Sequence, residues 1–152
     1  MKSLRAVLTL IRLAWHMVQG RAEIRKHFAS YTQEQREQAI ERWARRTLGM
    51  LGIRLVVRGQ PTLQGPMLFV CNHISWLDIM VIDAARPARF VSKADVKDWP
   101  LLGPLVVGAG TLFIERESRR DALRVVHIMA ERLRAGDVLA VFPEGTTGPG
   151  DS

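Results

Sequence analysis

The segment FVCNHISWLDIMV, residues 69–81, places side chains capable of acid–base chemistry between apolar runs. His73 follows one apolar run, and Asp78 comes five positions later. Neutral imidazole is a base near neutral pH, and a carboxylate on its second nitrogen fixes the tautomer and stabilises the imidazolium. Residues five apart on one helix are turned about 140° from each other, so the two can meet only if His73 precedes the helix. Ser75 as the N-cap would place Asp78 in the first turn, within reach of His73.

The same segment has two other interpretations. Ser75 and Asp78 form an S-x-x-D capping pattern, in which Asp78 stabilises the start of a helix and His73 is an ordinary loop residue. Cys71 and His73 share a face if the strand continues, so a Cys–His nucleophile is conceivable, although a buried strand cysteine is usually inert. Spacing alone leaves these alternatives open.

Two further polar clusters follow apolar runs. Arg116 ends the run GTLFIER just before a predicted helix, where a guanidinium can bind phosphate, or where it is simply part of a solvated basic turn. The run FPEGTTGPG offers a carboxylate, a close backbone approach and a hydroxyl at Glu144, Gly145 and Thr146. It is not a Walker loop, because no Gly-Lys-Ser/Thr follows, and no cluster in the chain has zinc-ligand spacing.

The elements that must position these clusters alternate between strand and helix from residue 53 onward. The predicted strands are IRLVVRG, MLFVC (a buried strand), ARFVSK, GTLFIER and DVLAVFPEG. The predicted helices are SWLDIMVIDAA and RESRRDALRVVHIMAERLRAG, the latter with an apolar stripe at Leu123, Val126, Ala130 and Leu133. This pattern predicts an α/β fold with a largely parallel sheet flanked by helices. Sites in such sheets form at the carboxyl edge, so we expect the three polar clusters to gather there.

The first 50 residues predict two helices. Cationic and polar side chains collect on one arc of the first helix, from Lys2 through Arg12 to His16, and apolar ones, including Trp15, fill the rest. An interfacial membrane helix has this pattern, and so does an ordinary helix docked on the core. Thr32 and Gln35 form a capping box for the second helix. We therefore predict a membrane-associating helical segment over 1–50 and an α/β domain over 51–152.

The charge balance indicates an anionic partner. Lys plus Arg number 22 and Asp plus Glu 15, a net charge of +7, which suits nucleic acid, an anionic membrane surface or a phosphorylated substrate. Neither an aromatic-studded strand nor a recognition-helix pattern is present, so nucleic acid is not expected. The apolar stretch 99–114 is interrupted by Pro100 and Pro104 and falls short of the roughly 20 residues that a membrane span needs.

The three clusters, taken in order, resemble the glycerolipid acyltransferase family, which includes the 1-acylglycerol-3-phosphate acyltransferases. NHISWLD matches that family's N-H-x-x-x-x-D motif, GTLFIER its G-x-x-F-I-x-R block and FPEGT its F-P-E-G-T/S block. The resemblance covers about residues 50 to 150. Family members continue well past the last block, so we expect this chain to be carboxyl-terminally truncated and its α/β domain to be incomplete.

The resemblance implies acyl transfer from acyl-CoA or an acyl-carrier protein to the hydroxyl of a lysophospholipid, such as lysophosphatidate or a lyso-ornithine lipid. It makes His73 the general base and Asp78 its partner, with Arg116 on the acceptor phosphate. The other substrate contacts would come from Asn72, Glu144, Gly145 and Thr146. No metal or cofactor is expected, because a thioester is already activated. The partners would be membrane lipids at the cytoplasmic face of the cell membrane. A non-catalytic membrane- or lipid-binding fragment is the alternative.

Overall fold

The computed structural model describes residues 2–59, 65–114 and 119–144. Within these ranges four parallel strands form one sheet in the order β1-β4-β2-β3. The strands are β1 (Met67–Val70), β2 (Arg89–Lys93), β3 (Leu112–Ile114) and β4 (Val138–Val141). The parallel sheet and its flanking helices confirm the predicted α/β fold. Because all four strands are parallel, their carboxyl ends lie at one edge of the sheet.

Helices connect the strands and precede the sheet. They are α1 (Lys2–His27), α2 (Gln33–Met50), α3 (Leu77–Ala85), α4 (Leu102–Gly108) and α5 (Arg119–Arg134), with a short 3-10 helix at Ala94–Asp98. Each parallel pair is thus joined through at least one helical segment, as parallel pairing requires. The capping box at Thr32 and Gln35 is confirmed, with both reciprocal hydrogen bonds present.

Two strand predictions need correction. Residues 53–59 form no strand, because their backbone has no ladder partner among the described residues; Leu55 packs against the helices and Val56 is exposed. The run MLFVC is not fully buried: Met67 and Phe69 pack on the core, whereas Leu68 and Val70 are exposed on the opposite face of β1, which is an edge strand. The buried interior strand is β4, where Leu139 has no exposed surface.

Two apolar clusters hold the layers together. One lies on the α3 side of the sheet and centres on Phe90 and Ala140, with Ile79 and Ile82 of α3 packed against them. The other joins α2 to α3 through Ala44, Leu48 and Ala84. Helix α3 is therefore fixed from both sides, which also fixes Asp78 in its first turn.

The predicted inward stripe of α5 is wrong at two positions. Leu123 and Val126 are 73% and 63% exposed, whereas Val125 and Ile128 are half-buried, as are the predicted Ala130 and Leu133. Both sets have helical spacing, so periodicity alone cannot choose the face.

Helix α1 buries a polar residue and exposes apolar ones. His16, on the predicted polar arc, stacks on Trp43 with ring centroids 4.9 Å apart, and its Nε2 lies 3.1 Å from the Trp43 carbonyl oxygen. Burial is the main cause that lowers the pKa of His16. Most of the large apolar residues of α1 face outward instead: Leu4, Val7, Leu8, Leu10, Ile11, Trp15 and Val18.

Asp83 is a buried carboxyl group whose charge opposes folding. It is 5% exposed, and burial raises its pKa to about 7. A single hydrogen bond, which the Ala88 N–H donates to Oδ1 at 3.2 Å, acts in the opposite direction. Because the folded pKa exceeds the unfolded one, stability falls as pH rises from about 4 to 7 and then levels off. The cost of the charge at alkaline pH is on the order of 4 kcal/mol.

We therefore expect Asp83→Asn to raise the free energy of unfolding by about 2 kcal/mol at pH 5 and by about 4 kcal/mol at pH 8. Asparagine keeps an acceptor for the Ala88 N–H and removes the charge. Urea denaturation at both pH values measures the effect, with Asp95→Asn on the surface as the control. An effect of the same size at both pH values would contradict this account of Asp83.

Candidate active site

The site is built where β1 ends and α3 begins. Ser75 caps the start of α3, since its Oγ accepts the N–H of Leu77 at 3.1 Å. Asp78 lies in the first turn and His73 lies in the loop before it, as the spacing predicted. The Asp78 Oδ2 atom lies 3.0 Å from His73 Nδ1. The two predicted catalytic side chains are therefore in contact.

One carboxylate oxygen organises the whole loop. In addition to the His73 ring, Asp78 Oδ2 accepts the N–H of Ile74 at 2.7 Å and that of Ser75 at 2.9 Å. The capping interpretation and the catalytic-pair interpretation are therefore both satisfied by the same atom. This geometry holds the loop in one conformation around the imidazole.

The environment of Asp78 keeps it ionised. Burial acts to raise its pKa, but the N–H groups of Ser75 and Ile74 and the His73 ring outweigh burial and leave the pKa below its ordinary value. Because an ionised carboxylate only accepts hydrogen bonds, His73 Nδ1 must carry a hydrogen. In the neutral ring the lone pair is then on Nε2, and this atom can take a proton from a substrate.

Two residues from the end of β4 support His73. The Phe142 ring stacks on the imidazole with centroids 4.1 Å apart and an interplanar angle of 16°. Glu144 Oε2 accepts the His73 backbone N–H at 3.0 Å. Glu144 was predicted as a substrate contact; here it anchors the loop. Phe142 was not predicted, although its place between a buried strand and the Pro-Glu turn is a usable signal.

The remaining predicted site residues either lie beside His73 or fall outside the described ranges. Asn72 is exposed between β1 and His73. Arg116, Gly145 and Thr146 lie outside the described residues, and their roles stay predictions. Lys93 is a cation that the sequence reasoning missed; it is exposed and ends β2 at the same edge as His73. Its position at the end of a strand was the available signal.

Cys71 does not have the properties of an activated nucleophile. Burial, and secondarily the negative charge of Asp78, raise the pKa of its thiol. The reactive form of cysteine is the thiolate, and this environment disfavours it. Among the described residues, no group of three or more His, Cys, Asp or Glu side chains is arranged to hold a metal ion.

Comparison with known proteins places this geometry in a family. The family model described as Acyltransferase matches residues 53–150, a stretch that contains His73, Asp78 and Glu144. The chain belongs to the Acyltransferase family. The resemblance seen in the three sequence blocks is thereby confirmed.

Curated relatives are similar over most of this chain. A lyso-ornithine lipid O-acyltransferase of Pseudomonas aeruginosa is 44% identical over 117 residues, covering 77% of this chain and 45% of the relative. One of Rhizobium meliloti is 38% identical, covering 72% of this chain and 37% of the relative. A 1-acyl-sn-glycerol-3-phosphate acyltransferase of Neisseria meningitidis is 40% identical, covering 77% and 46%. The chain thus spans less than half the length of these relatives.

The fold is also found in a solved structure. The crystal structure of the 1-acyl-sn-glycerophosphate acyltransferase PlsC from Thermotoga maritima matches with a TM-score of 0.74 at 24% identity. The match covers 99% of this chain and 65% of that one. The α1–α2 pair and the parallel sheet therefore belong to a known architecture.

Proposed function

We propose that this acyltransferase moves a fatty acyl group from a thioester, acyl-CoA or acyl-carrier protein, to the hydroxyl group of a lysophospholipid. The observation that carries the proposal is the contact between His73 Nδ1 and Asp78 Oδ2, which directs a basic Nε2 away from the carboxylate. Family membership and the acyltransferase names of the relatives support it.

The proposed step transfers one proton and exchanges one bond. The acceptor hydroxyl oxygen attacks the thioester carbonyl carbon while His73 Nε2 takes the hydroxyl proton. The tetrahedral intermediate collapses, the carbon–sulfur bond breaks, and the imidazolium returns the proton to the leaving thiolate. Asp78 stabilises the imidazolium between these two events. No metal, cofactor or covalent enzyme intermediate is needed, because the thioester is already activated.

The acceptor is proposed from the relatives, whose names divide between lyso-ornithine lipid and 1-acyl-sn-glycerol-3-phosphate. Transfer of a labelled acyl group in membranes that contain the complete protein tests both acceptors side by side. Transfer to either one supports the proposed function, and the ratio of rates identifies the headgroup. Binding to membranes without any transfer would favour the non-catalytic alternative.

An apolar cavity close to the site can hold part of an acyl chain. It has a volume of about 140 Å³ and lies between α1, α2, α3, β2 and α4, with apolar lining from Met80, Phe90 and Val106. Phe90 is also part of the aromatic column to His73, since its ring centroid lies 5.9 Å from that of Phe142. We propose that one segment of the acyl chain, on the order of six carbons, occupies this cavity while the thioester carbon lies near His73.

A substitution in the cavity should change the chain-length preference. Val106→Phe narrows the cavity and is expected to shift the preferred donor to shorter acyl chains, lowering the rate with an 18-carbon donor about tenfold or more. Competition among acyl donors of 8 to 18 carbons measures the preference. Val107→Phe is the matched control, because Val107 is 53% exposed and lies outside the cavity lining. An unchanged preference in Val106→Phe would remove the cavity from the proposal.

We also propose that α1 attaches the protein to the cytoplasmic face of the membrane. Its outward apolar residues, with Trp15 among them, match an interfacial helix, and the net charge of +7 suits an anionic leaflet. Among the described helices, none combines the length and apolarity needed to cross a bilayer. The division at residue 50 into a membrane segment and an α/β domain is part of this proposal.

A further inference from the structure

Two loops at the carboxyl edge of the sheet expose large apolar side chains. In the loop between β1 and α3, Ile74 and Trp76 are 58% and 55% exposed. In the turn before α4, Trp99 is 50% exposed and Leu101 is 44% exposed. We call these four residues the rim. The catalytic contacts between His73 and Asp78 make no use of the rim side chains.

The rim loops leave the same edge of the sheet. Strands β1 and β2 each pair in parallel with β4, so all three run in the same direction. The segments that follow Val70 and Lys93 therefore emerge at the same edge of the sheet. His73 lies in the first of these segments. Helix α4 then runs back toward the amino edge, because β3 must start there. The rim therefore surrounds the edge that carries the catalytic pair.

Leu101 is held outward at an energetic cost. Its φ of 66° and ψ of −47° make it the one non-glycine residue with positive φ in the described ranges, and branched side chains rarely adopt that region. Its neighbour Gly103 packs so closely on the Lys97 carbonyl that any Cβ would overlap the backbone. The turn is thus tightly packed at Gly103, and it presents a leucine to solvent close to a tryptophan.

The exposed part of α1 projects from the same end of the molecule. A Cβ on Gly20 would touch Leu105, and one on Gly108 would touch Ile24, so α1 and α4 run side by side in the same direction. Since α4 starts at Leu102, the residues of α1 before about position 16 extend past the carboxyl edge. The exposed apolar side chains of that part of α1 and the rim therefore lie at the same end of the molecule.

We infer that the rim is a second membrane-contact element, separate from α1, which seats the catalytic edge on the bilayer interface. Tryptophan and leucine side chains partition to that interface, tryptophan because its ring is apolar and its N–H is polar. The turn carries Lys93 and Lys97 but also Asp95 and Asp98, so apolar burial rather than charge supplies the attraction. The occupant is a lipid surface, because the rim continues the apolar surface of α1.

The four tryptophans of the chain allow a direct test. Four variants each keep one tryptophan and carry phenylalanine at the other three positions, among Trp15, Trp43, Trp76 and Trp99. Each is mixed with vesicles of phosphatidylcholine and phosphatidylglycerol whose acyl chains are brominated just below the headgroups. We expect loss of emission from Trp76 and Trp99, and from Trp15 on α1. Trp43 is the internal control, because it stacks on His16 between helices and its Nε1 donates to the His16 carbonyl at 3.3 Å.

Two outcomes would overturn the inference. One is quenching of Trp15 with no more quenching of Trp76 and Trp99 than of Trp43, which would leave α1 as the contact. The other is Trp99 emission that is already blue-shifted without vesicles, which would mean that protein covers the rim. The measurement needs no acyl donor, so a failure of acyl transfer leaves its result intact.

Leu101→Asn gives a second test that does not depend on fluorescence. Leu101 is the central residue of a γ-turn that the Leu102 N–H closes on the Pro100 carbonyl at 2.8 Å, and asparagine keeps these backbone groups, so thermal unfolding of the variant is expected to stay cooperative. The variant should nevertheless bind the same vesicles about threefold to tenfold more weakly, because it lacks the leucine side chain that the membrane would bury. Leu123→Asn, at an exposed position on α5, is the control for a general loss of surface apolarity. Equal vesicle affinity for Leu101→Asn and the parent would count against the rim.

Discussion

Replacing His73 by alanine is expected to lower the rate of acyl transfer by about 10²- to 10⁴-fold, the usual contribution of a positioned general base. The lost group is Nε2, the ring nitrogen left with a lone pair by the 3.0 Å contact of Nδ1 with Asp78. The backbone N–H that Glu144 accepts is still present in the variant, so the loop keeps that anchor. Initial rates with labelled acyl donor, at saturating acceptor, measure the effect.

The control for this variant is His127→Ala. His127 is on the outer surface of α5, with its side chain 73% exposed, and should retain the full rate. Thermal unfolding of His73→Ala should remain cooperative, which separates a chemical loss from a folding loss. A His73→Ala protein that is folded and fully active would remove His73 from the mechanism.

Asp78→Asn is expected to lower the rate about 10²-fold or more, since it removes the charge that stabilises the imidazolium. Because the pKa of Asp78 lies below its ordinary value, the carboxylate is ionised throughout the assay range. The ratio of wild-type to variant rates should therefore be constant from pH 8 to 9, well above the ordinary imidazole pKa of about 6.5. In stability, the charge of Asp78 contributes above its unfolded pKa and is lost only as pH falls through the lowered folded value.

Rate profiles against pH for the wild type and Asp78→Asn measure this prediction, with Asp95→Asn as an exposed control. The asparagine oxygen can still accept from the Ile74 and Ser75 N–H groups, so the loop should persist. A ratio that collapses toward one at any pH in this range would mean that the carboxylate does not act on the imidazole as proposed.

Local features of this fold were readable from the sequence, and long-range ones were not. Ser75 and Thr32 cap helices through atoms within three residues, so a short pattern determines them. The His73–Asp78 contact spans five residues and follows from the same cap. Glu144, by contrast, reaches the His73 backbone across 71 positions only because β1 and β4 are neighbours in the sheet.

The sequence predictions that were wrong also depend on long-range pairing. An apolar run such as MLFVC is equally compatible with an interior or an edge strand, and only the strand order shows that β1 is at the edge. Residues 53–59 alternate as a strand does, but a strand also needs a partner backbone. Trp76 and Trp99 are unremarkable in sequence, and their common exposure at one edge depends on the parallel order of β1, β4 and β2.

The most direct test of the central claim compares two acceptors that differ in one atom. A lysolipid and its analogue with a thiol in place of the hydroxyl are assayed with the wild type and with His73→Ala. The thiol has a pKa of about 8.5 and releases its proton far more readily than an alcohol, so it depends less on a base. If His73 removes the acceptor proton, the alanine variant loses much more rate with the hydroxyl than with the thiol. An equal loss with both acceptors would mean that His73 supports the site without acting as its base.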